Sequence, residues 1–299
     1  DQIDIANELH NELVEKAAEN DEALMELYFD KGTLNEDEMR EGIKKGMLHH
    51  ELFPVFCISA LKDMGSGRLM GFIDNVAPSA ADLKPEQSVE GTIVECKVKA
   101  PTSLFIFKTL YEPNLGQISF FKVKSGEIKQ NDKLENSRNE EIEILNQLYI
   151  MDGKNRQPVE KLSAGDIGAT LKLKYTETND TLRTKGSNIT IKPINYPEPR
   201  ITKCVEAEDK NDEEKLNEAL KRIHSQDPTV TLKYSKELKQ LILTCQGELH
   251  LATIDWTLQK LYGIKANFEQ PKIAYRETIQ RSASTSYKHK KQSGIWTIW

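Results

Sequence analysis

Long apolar runs are missing from this 299-residue chain: the longest, Leu52 to Leu61, falls well short of the roughly 18 residues that would suggest a membrane span. Its opening, Asp1-Gln2-Ile3-Asp4, lacks the basic flank and apolar block of a secretory signal, and the absence of an initiating Met leads us to expect that a natural start has been removed. Cysteine is scarce. Cys57, Cys96, Cys204 and Cys245 are scattered without any Cys-x-x-Cys pair, which argues against zinc and for free thiols in a reducing cytosol. Histidine offers no ligand set either, since His49 and His50 are adjacent and point apart on a helix, and His250 stands alone. The motifs of phosphoryl transfer are missing as well. There is no G-x-x-x-x-G-K-[ST] loop, no Asp-x-x-Gly and no Asn-Lys-x-Asp, so these residues cannot by themselves cradle phosphates and Mg²⁺. No metal site, cofactor or catalytic set is expected on this stretch of chain.

What is present is unevenly charged. The whole chain carries −6, but residues 1–50 hold 14 Asp and Glu against 5 Lys and Arg, a balance of −9, leaving +3 for the rest. An acidic lobe beside a mildly basic body is compatible with a nucleic-acid partner, because local charge matters more than the total. Lys97, Lys99, Lys108, Lys122 and Lys124 alternate with apolar residues in strand-like segments, which predicts several charges on one sheet face, placed to neutralise phosphates; the resemblance named below implies that they face RNA.

The pattern of apolar residues changes three times along the chain. Residues 1–48 read as helices: Ile5, Leu9, Leu13 and Ala17 share one face, Leu24, Leu27 and Tyr28 another, and Lys31-Gly32 is a break. Thr33-Leu34-Asn35-Glu36 has capping-box spacing, predicting a helix from there to about Gly46. Leu52–Ile58 reads as a short buried strand, followed by a loop with Gly65 and Gly67 and a helix carrying Leu69, Phe72, Ile73 and Val76 up to Pro78. Such a strand–loop–helix is the edge of an α/β sheet rather than a domain.

Residues 81–199 are β-rich. Val89–Val98, Leu104–Leu110, Ile118–Val123, Ile142–Ile150 and Ile167–Leu173 are separated by turn signals such as Ser125-Gly126, Asn131-Asp132 and Asp152-Gly153, which predicts a closed β-barrel. Glu140-Glu141-x-Glu143 reads as a charged strand edge. Beyond Pro197-Glu198-Pro199 the order becomes strand (Ile201–Val205), helix (Asn211–His224), hairpin (Thr229–Tyr234 with Leu241–Thr244), helix (Glu248–Leu261, ending at Gly263) and strand (Ile264–Phe268). That is β-α-β-β-α-β, the ferredoxin-like order. The fold class expected is therefore multidomain α+β.

Several residue strings resemble the elongation factor G family of translational GTPases. They are Asp227-Pro228-Thr229, Gly247-Glu248-Leu249-His250-Leu251 and Tyr275-Arg276-Glu277-Thr278-Ile279, with Gly116-Gln117-Ile118 and Ser125-Gly126-Glu127-Ile128 upstream. Pro54-Val55-Phe56-Cys57-Ile58-Ser59-Ala60-Leu61-Lys62 resembles the last guanine-recognition element of that family's GTPase domain. The likeness runs in order from residue 1 to about 294. Departures occur at Ile58, where the family has Gly, at Gln117, where it has Arg, and at Lys124, where it has Tyr, which suggests a divergent paralogue.

The resemblance implies a domain plan: residues 1–80 as the end of a P-loop GTPase domain, 81–198 as a β-barrel second domain, 199–275 as a ferredoxin-like third domain and 276–299 as the start of a fourth. It implies that Ser59, Ala60 and Leu61 contact guanine, that GTP and Mg²⁺ belong to a longer parent, and that whether that parent hydrolyses GTP is decided outside these residues. Partners implied are the ribosome, through ribosomal RNA and small-subunit proteins, with tRNA and mRNA reached indirectly, for a cytoplasmic monomer acting in translocation. Alternatives are a ribosomal-protection factor of the tetracycline-resistance type and a GTPase-independent ribosome-binding module; the Tyr275–Ile279 string favours the translocation factor. Lys291-Gln292-Ser293-Gly294 approaches the family's Gly-Gly-x-Gly-Gln-aromatic-Gly loop, but Ile295-Trp296-Thr297-Ile298-Trp299 follows instead. Reading GGA TTT GGA CAA TTT GG without its first two bases gives ATT TGG ACA ATT TGG, so the tail is expected to be a frameshift product.

Overall fold

The computed structural model describes residues 2–112 and 115–287. The chain divides into two compact units, one of residues 1–196 with 225–228, the other of 197–224 with 229–299. The unusual tail lies outside the described residues.

The first unit begins with helices α1 (Gln2–Ala18), α2 (Glu22–Lys31) and α3 (Glu36–His49). Val14, Ala17, Ala18, Leu34 and Ile43 form their core, with Val76 beyond the later helix α4 (Ser66–Asn75). α1 and α3 approach closely because α3 has glycine at the crossing: a Cβ on Gly42 would sit 2.3 Å from the Ala17 carbonyl oxygen. The expected face of α1 is only partly the buried one. Ala17 is buried, whereas Ile5, Leu9 and Leu13 are exposed and Val14 takes their place in the core.

The cap of α3 also differs from the expectation. Asn35, not Thr33, is the N-cap; its side chain accepts the Glu38 N–H at 2.9 Å, and Glu38 accepts the Asn35 N–H at 2.8 Å. The same box spacing recurs two residues later, and burial of Leu34 sets the register.

Residues 53–58 form no strand among the described residues, and Val55 is 90 % exposed. The run is apolar at nearly every position, as a doubly covered strand would be, yet among the described residues no sheet pairs with it. Instead, Phe53, Val55 and Phe56 border an open groove of about 1290 Å³ facing Leu13, Ile43 and Phe72.

The rest of the first unit is a curled antiparallel sheet. Strands β1 (Glu86–Gln87) and β2 (Ile93–Val94) pair with each other. The main sheet contains β3 (Ser103–Glu112), β4 (Gly116–Ser125), β6 (Asp132–Asn136), β7 (Ile142–Leu145), β8 (Leu148–Asp152), β9 (Asn155–Val159), β11 (Ile167–Leu171) and β12 (Thr181–Arg183). Their order is β7-β6-β12-β3-β4-β11-β8-β9, while β5 (Glu127–Lys129) pairs with β10 (Lys161–Ser163). The ladder ends at β7 and β9 among the described residues, so the expected barrel is present as a curled sheet without ladder closure. Leu104, Ile106, Phe121, Val123, Leu145, Leu148 and Leu182 fill its interior. A second layer, Val94, Phe105, Ile189 and Ile191, covers part of its outer face.

The stretch read as one strand from Ile142 to Ile150 is two, β7 and β8, and that from Val89 to Val98 shrinks to β2. Glu143 is not an exposed edge charge but only 3 % exposed. Its carboxylate accepts the N–H groups of Lys174 and Tyr175 and the hydroxyl of Thr176, which compensates its burial.

The second unit contains β13 (Ile201–Ala207), α5 (Glu213–Gln226), β14 (Thr231–Ser235), β15 (Gln240–Cys245), α6 (Glu248–Leu261) and β16 (Ala266–Glu269). The last two residues of α5 fall in the segment grouped with the first unit. The sheet order is β14-β15-β13-β16, all antiparallel, as a β-α-β-β-α-β chain gives when both helices cover one face. Leu216, Leu220 and Ile223 of α5 and Ile254 and Leu258 of α6 meet Val205 and Leu243 in the core. Leu249 and Leu261 of α6 are both exposed: Leu249, five residues before Ile254, lies on the other side of the helix, and Leu261 is the helix's last residue.

Candidate functional site

Ser59 forms an isolated two-way pairing with Met64: its N–H donates to the Met64 carbonyl at 2.9 Å, and the Met64 N–H returns to the Ser59 carbonyl at 3.0 Å. Ala60 and Leu61 occupy the single 3₁₀ turn between them, and Leu61 is 98 % exposed. The Asp63 carboxylate that follows accepts the Ser66 hydroxyl. Ser59 therefore has both backbone groups engaged, and the turn presents only a short exposed rim. The rim it offers is the size of a base edge, and among the described residues no glycine-rich phosphate loop of the G-x-x-x-x-G-K-[ST] type is present. The residues present do not by themselves fit a guanine nucleotide with its Mg²⁺.

The five lysines are arranged differently from the expected strand-borne row. Lys97 and Lys99 lie in a turn, not a strand. That turn is tied to the end of β4, where the Gly126 N–H donates to the Lys97 carbonyl at 2.9 Å. Lys108 is on β3 directly opposite Phe120 of β4, and Lys122 lies between Phe105 of β3 and Ile167 of β11. Directly opposed residues and residues two apart on a strand share a face, so Lys108, Phe120, Lys122 and Lys124 belong to the outer face of the curled sheet.

The charges on that face are not equally available. Lys124, with its side chain 17 % exposed, is paired with Glu86 and lies 5.9 Å from the Phe105 ring centroid, so much of its charge is spent within the protein. Lys97 pairs with Glu95 at 2.8 Å on an open surface, where such a pair is weak. Among the described residues Lys99, Lys108 and Lys122 have no ion-pair partner. Lys122 and Lys124 also border a small hollow with Lys84, Glu86 and Cys96. The geometry can place a few positive charges beside apolar side chains on one sheet face. No group of three or more His, Cys, Asp or Glu among the described residues could hold a metal.

The sequence reading missed a polar cluster at one end of this sheet. Asp180, nearly buried, accepts Arg138 Nε at 2.8 Å and Nη2 at 3.0 Å, Asn136 Nδ2 at 2.8 Å and the Glu177 N–H at 2.9 Å. Hydrogen bonding to Asp180 raises the Arg138 pKa further above its ordinary value, against an opposing effect of burial. Gln117, the position departing from the family pattern, donates to the Thr176 carbonyl at 2.9 Å and so supports the same loop. Only the Asn179-Asp180 turn signal was available to hint at this cluster.

Residues 101–185 match the family model for elongation factor G domain 2, and residues 196–270 match the model for elongation factor G domain III. A protein from Thermus thermophilus, known from its crystal structure, superposes with a TM-score of 0.73 at 25% sequence identity, over 88% of this chain. The chain spans 38% of that protein's length. A curled antiparallel sheet followed by a β-α-β-β-α-β unit, each matched in order, defines a translation factor of the elongation factor class. The chain belongs to the elongation factor G family. No helix among the described residues is long and apolar enough to cross a membrane.

Proposed function

We propose that the protein acts on the ribosome in the translocation step of protein synthesis, as a cytoplasmic monomer. The observation that carries this reading is the succession of the two matched domains, residues 101–185 and then 196–270, in one chain. On this reading residues 1–80 belong to a GTPase domain and residues from 276 on open a fourth domain. GTP and Mg²⁺ would be held by a longer protein, with Ser59, Ala60 and Leu61 contributing at most contacts to the base.

The outer face of the curled sheet is the surface we assign to ribosomal RNA. Lys108 and Lys122 on that face, with Lys99 in the turn tied to the end of β4, would neutralise phosphates, and Lys97 and Lys124 would contribute less because Glu95 and Glu86 already engage them. Each phosphate contact releases condensed counterions, so affinity should fall steeply with salt. Small-subunit proteins would be further contacts, and tRNA and mRNA would be affected indirectly.

Co-sedimentation of the 299-residue chain with ribosomes across a salt series tests the reading. Binding that weakens log-linearly with salt is expected, and replacing Lys108 and Lys122 by Glu should lower the slope. Absence of salt-sensitive ribosome binding would overturn it.

A further inference from the structure

In the β-α-β-β-α-β unit both helices pack on one face of the four-stranded sheet, which leaves the other face open. Alternation along each strand assigns the side chains to the two faces. Val205 and Ala207 of β13 point into the core, so Thr202, Cys204 and Glu206 share the open face. Leu241 and Leu243 of β15 also join the core, which puts Gln240 and Ile242 on the open face. Thr202 and Glu206 are exposed there, yet Cys204 between them is 2 % exposed and Gln240 is 5 % exposed. Ile242 and Glu269, the strand partners of Cys204, flank it on either side.

The chain leaving β16 crosses this face. Glu269 ends β16 beside Cys204, and three residues later the Lys272 N–H donates to Gln240 Oε1 at 3.0 Å. Gln240 belongs to β15, with β13 lying between β15 and β16. Two strand spacings are about 10 Å, a distance that three extended residues just span. The path therefore runs directly over β13. Pro271 is half-buried along it, and the Lys272 ammonium lies within electrostatic range of the Cys204 sulfur. Four residues further on, Arg276 meets Glu237, which precedes β15, at 3.3 Å. Residues 270–279 form neither helix nor strand, so side-chain contacts rather than a ladder hold this stretch down.

We infer that residues 270–276 form a strap latched across the open face by Gln240 and Glu237, and that the strap lifts without unfolding the sheet, uncovering Cys204. Burial, then Glu206 and Glu269, raise the Cys204 pKa against the opposing effect of Lys272, so the covered thiol is held in its unreactive protonated form. The two latches differ in kind. Gln240 is nearly buried and neutral, whereas Arg276 and Glu237 are exposed and pair weakly. The device lies wholly within one unit and does not depend on the ribosomal reading above.

Alkylation of the full 299-residue chain with N-ethylmaleimide, followed cysteine by cysteine by mass spectrometry, tests the inference. Cys57 is exposed and should react first, whereas Cys245, buried in the helix-covered core, reports global unfolding. Cys204 should react at a rate between the two. Gln240→Ala should speed Cys204 about fivefold to tenfold, the scale of one lost hydrogen bond, and leave Cys245 unchanged. Gln240→Glu keeps an acceptor for the Lys272 N–H and should restore the slow rate. Arg276→Gln should speed Cys204 only about twofold. Equal rates for Cys204 and Cys245 in the parent would overturn the inference, because opening would then be global; that comparison holds even if a variant does not fold. So would an unchanged Cys204 rate in Gln240→Ala, or a rise shared equally by Cys245.

Discussion

Asp180 shows how much can rest on one side chain. Its carboxylate takes up the guanidinium of Arg138, the amide of Asn136 and the N–H of Glu177, so its removal strands several donors at once. Asp180→Ala should destabilise the first unit by about 2–4 kcal/mol in urea unfolding, the range for breaking a charge-assisted buried cluster with one half-exposed partner. At Asp82 the relevant variable is pH. Lys44, then Ser79, hold its carboxyl at about 2, below its ordinary value of 3.8, and the Lys44 ion pair measures 2.8 Å. A depressed carboxyl stabilises the fold above its unfolded pKa, and that contribution is lost as pH falls through the folded one. Stability should therefore drop between about pH 4 and pH 2 by less in Asp82→Asn than in the parent, read as the shift in urea midpoint. Both groups are partly solvated, so the effect is one of slope rather than of large magnitude.

At the scale of elements, close approaches decide more than propensity. Gly168 faces the sheet interior, where an added Cβ would come within 2.3 Å of Leu162 Cδ1 and 3.0 Å of Phe121 Cζ. Gly168→Ala should cost about 1–3 kcal/mol by overpacking, measured by thermal or urea unfolding. Gly42→Ala should cost at least as much, because the clash there is with the Ala17 backbone carbonyl and cannot be relieved by a rotamer change. These positions also explain what could be read in advance. The β-α-β-β-α-β order was legible because Leu216, Leu220, Ile223, Ile254 and Leu258 keep strict helical spacing between clear strands. Strands β5, β9, β10 and β12 were not, because three to five residues with mixed polarity carry no period. The run 52–58 has strand-like residues but no strand, since a strand requires a neighbour and residue type cannot supply one.

For the whole molecule, the testable surface is the lysine-bearing face of the curled sheet. Lys108→Glu and Lys122→Glu should each reduce the salt slope of ribosome binding by at least about 1, whereas Lys124→Gln should mainly perturb the Glu86 and Phe105 contacts. Binding across salt series and unfolding of the free protein, measured together, separate those roles. The sequence alone could not make that distinction, because Glu86 lies 38 residues from Lys124 and Glu95 two from Lys97 on a turn that looked like a strand.

The sequence by itself determined the family, through ordered strings such as Gly247–Leu251, and the alternation of helical and β-rich regions, because periodic burial is written directly into residue order. Only the tertiary structure decided that Lys124 is engaged by Glu86 and Phe105, that Glu143 and Asp180 are buried, and that Asn179 and Gln246 hold Ile194 and Pro197. Most of those contacts pair residues well apart in the chain, such as Lys124 with Glu86, Asn136 with Asp180 and Glu143 with Lys174, which residue order alone does not bring together.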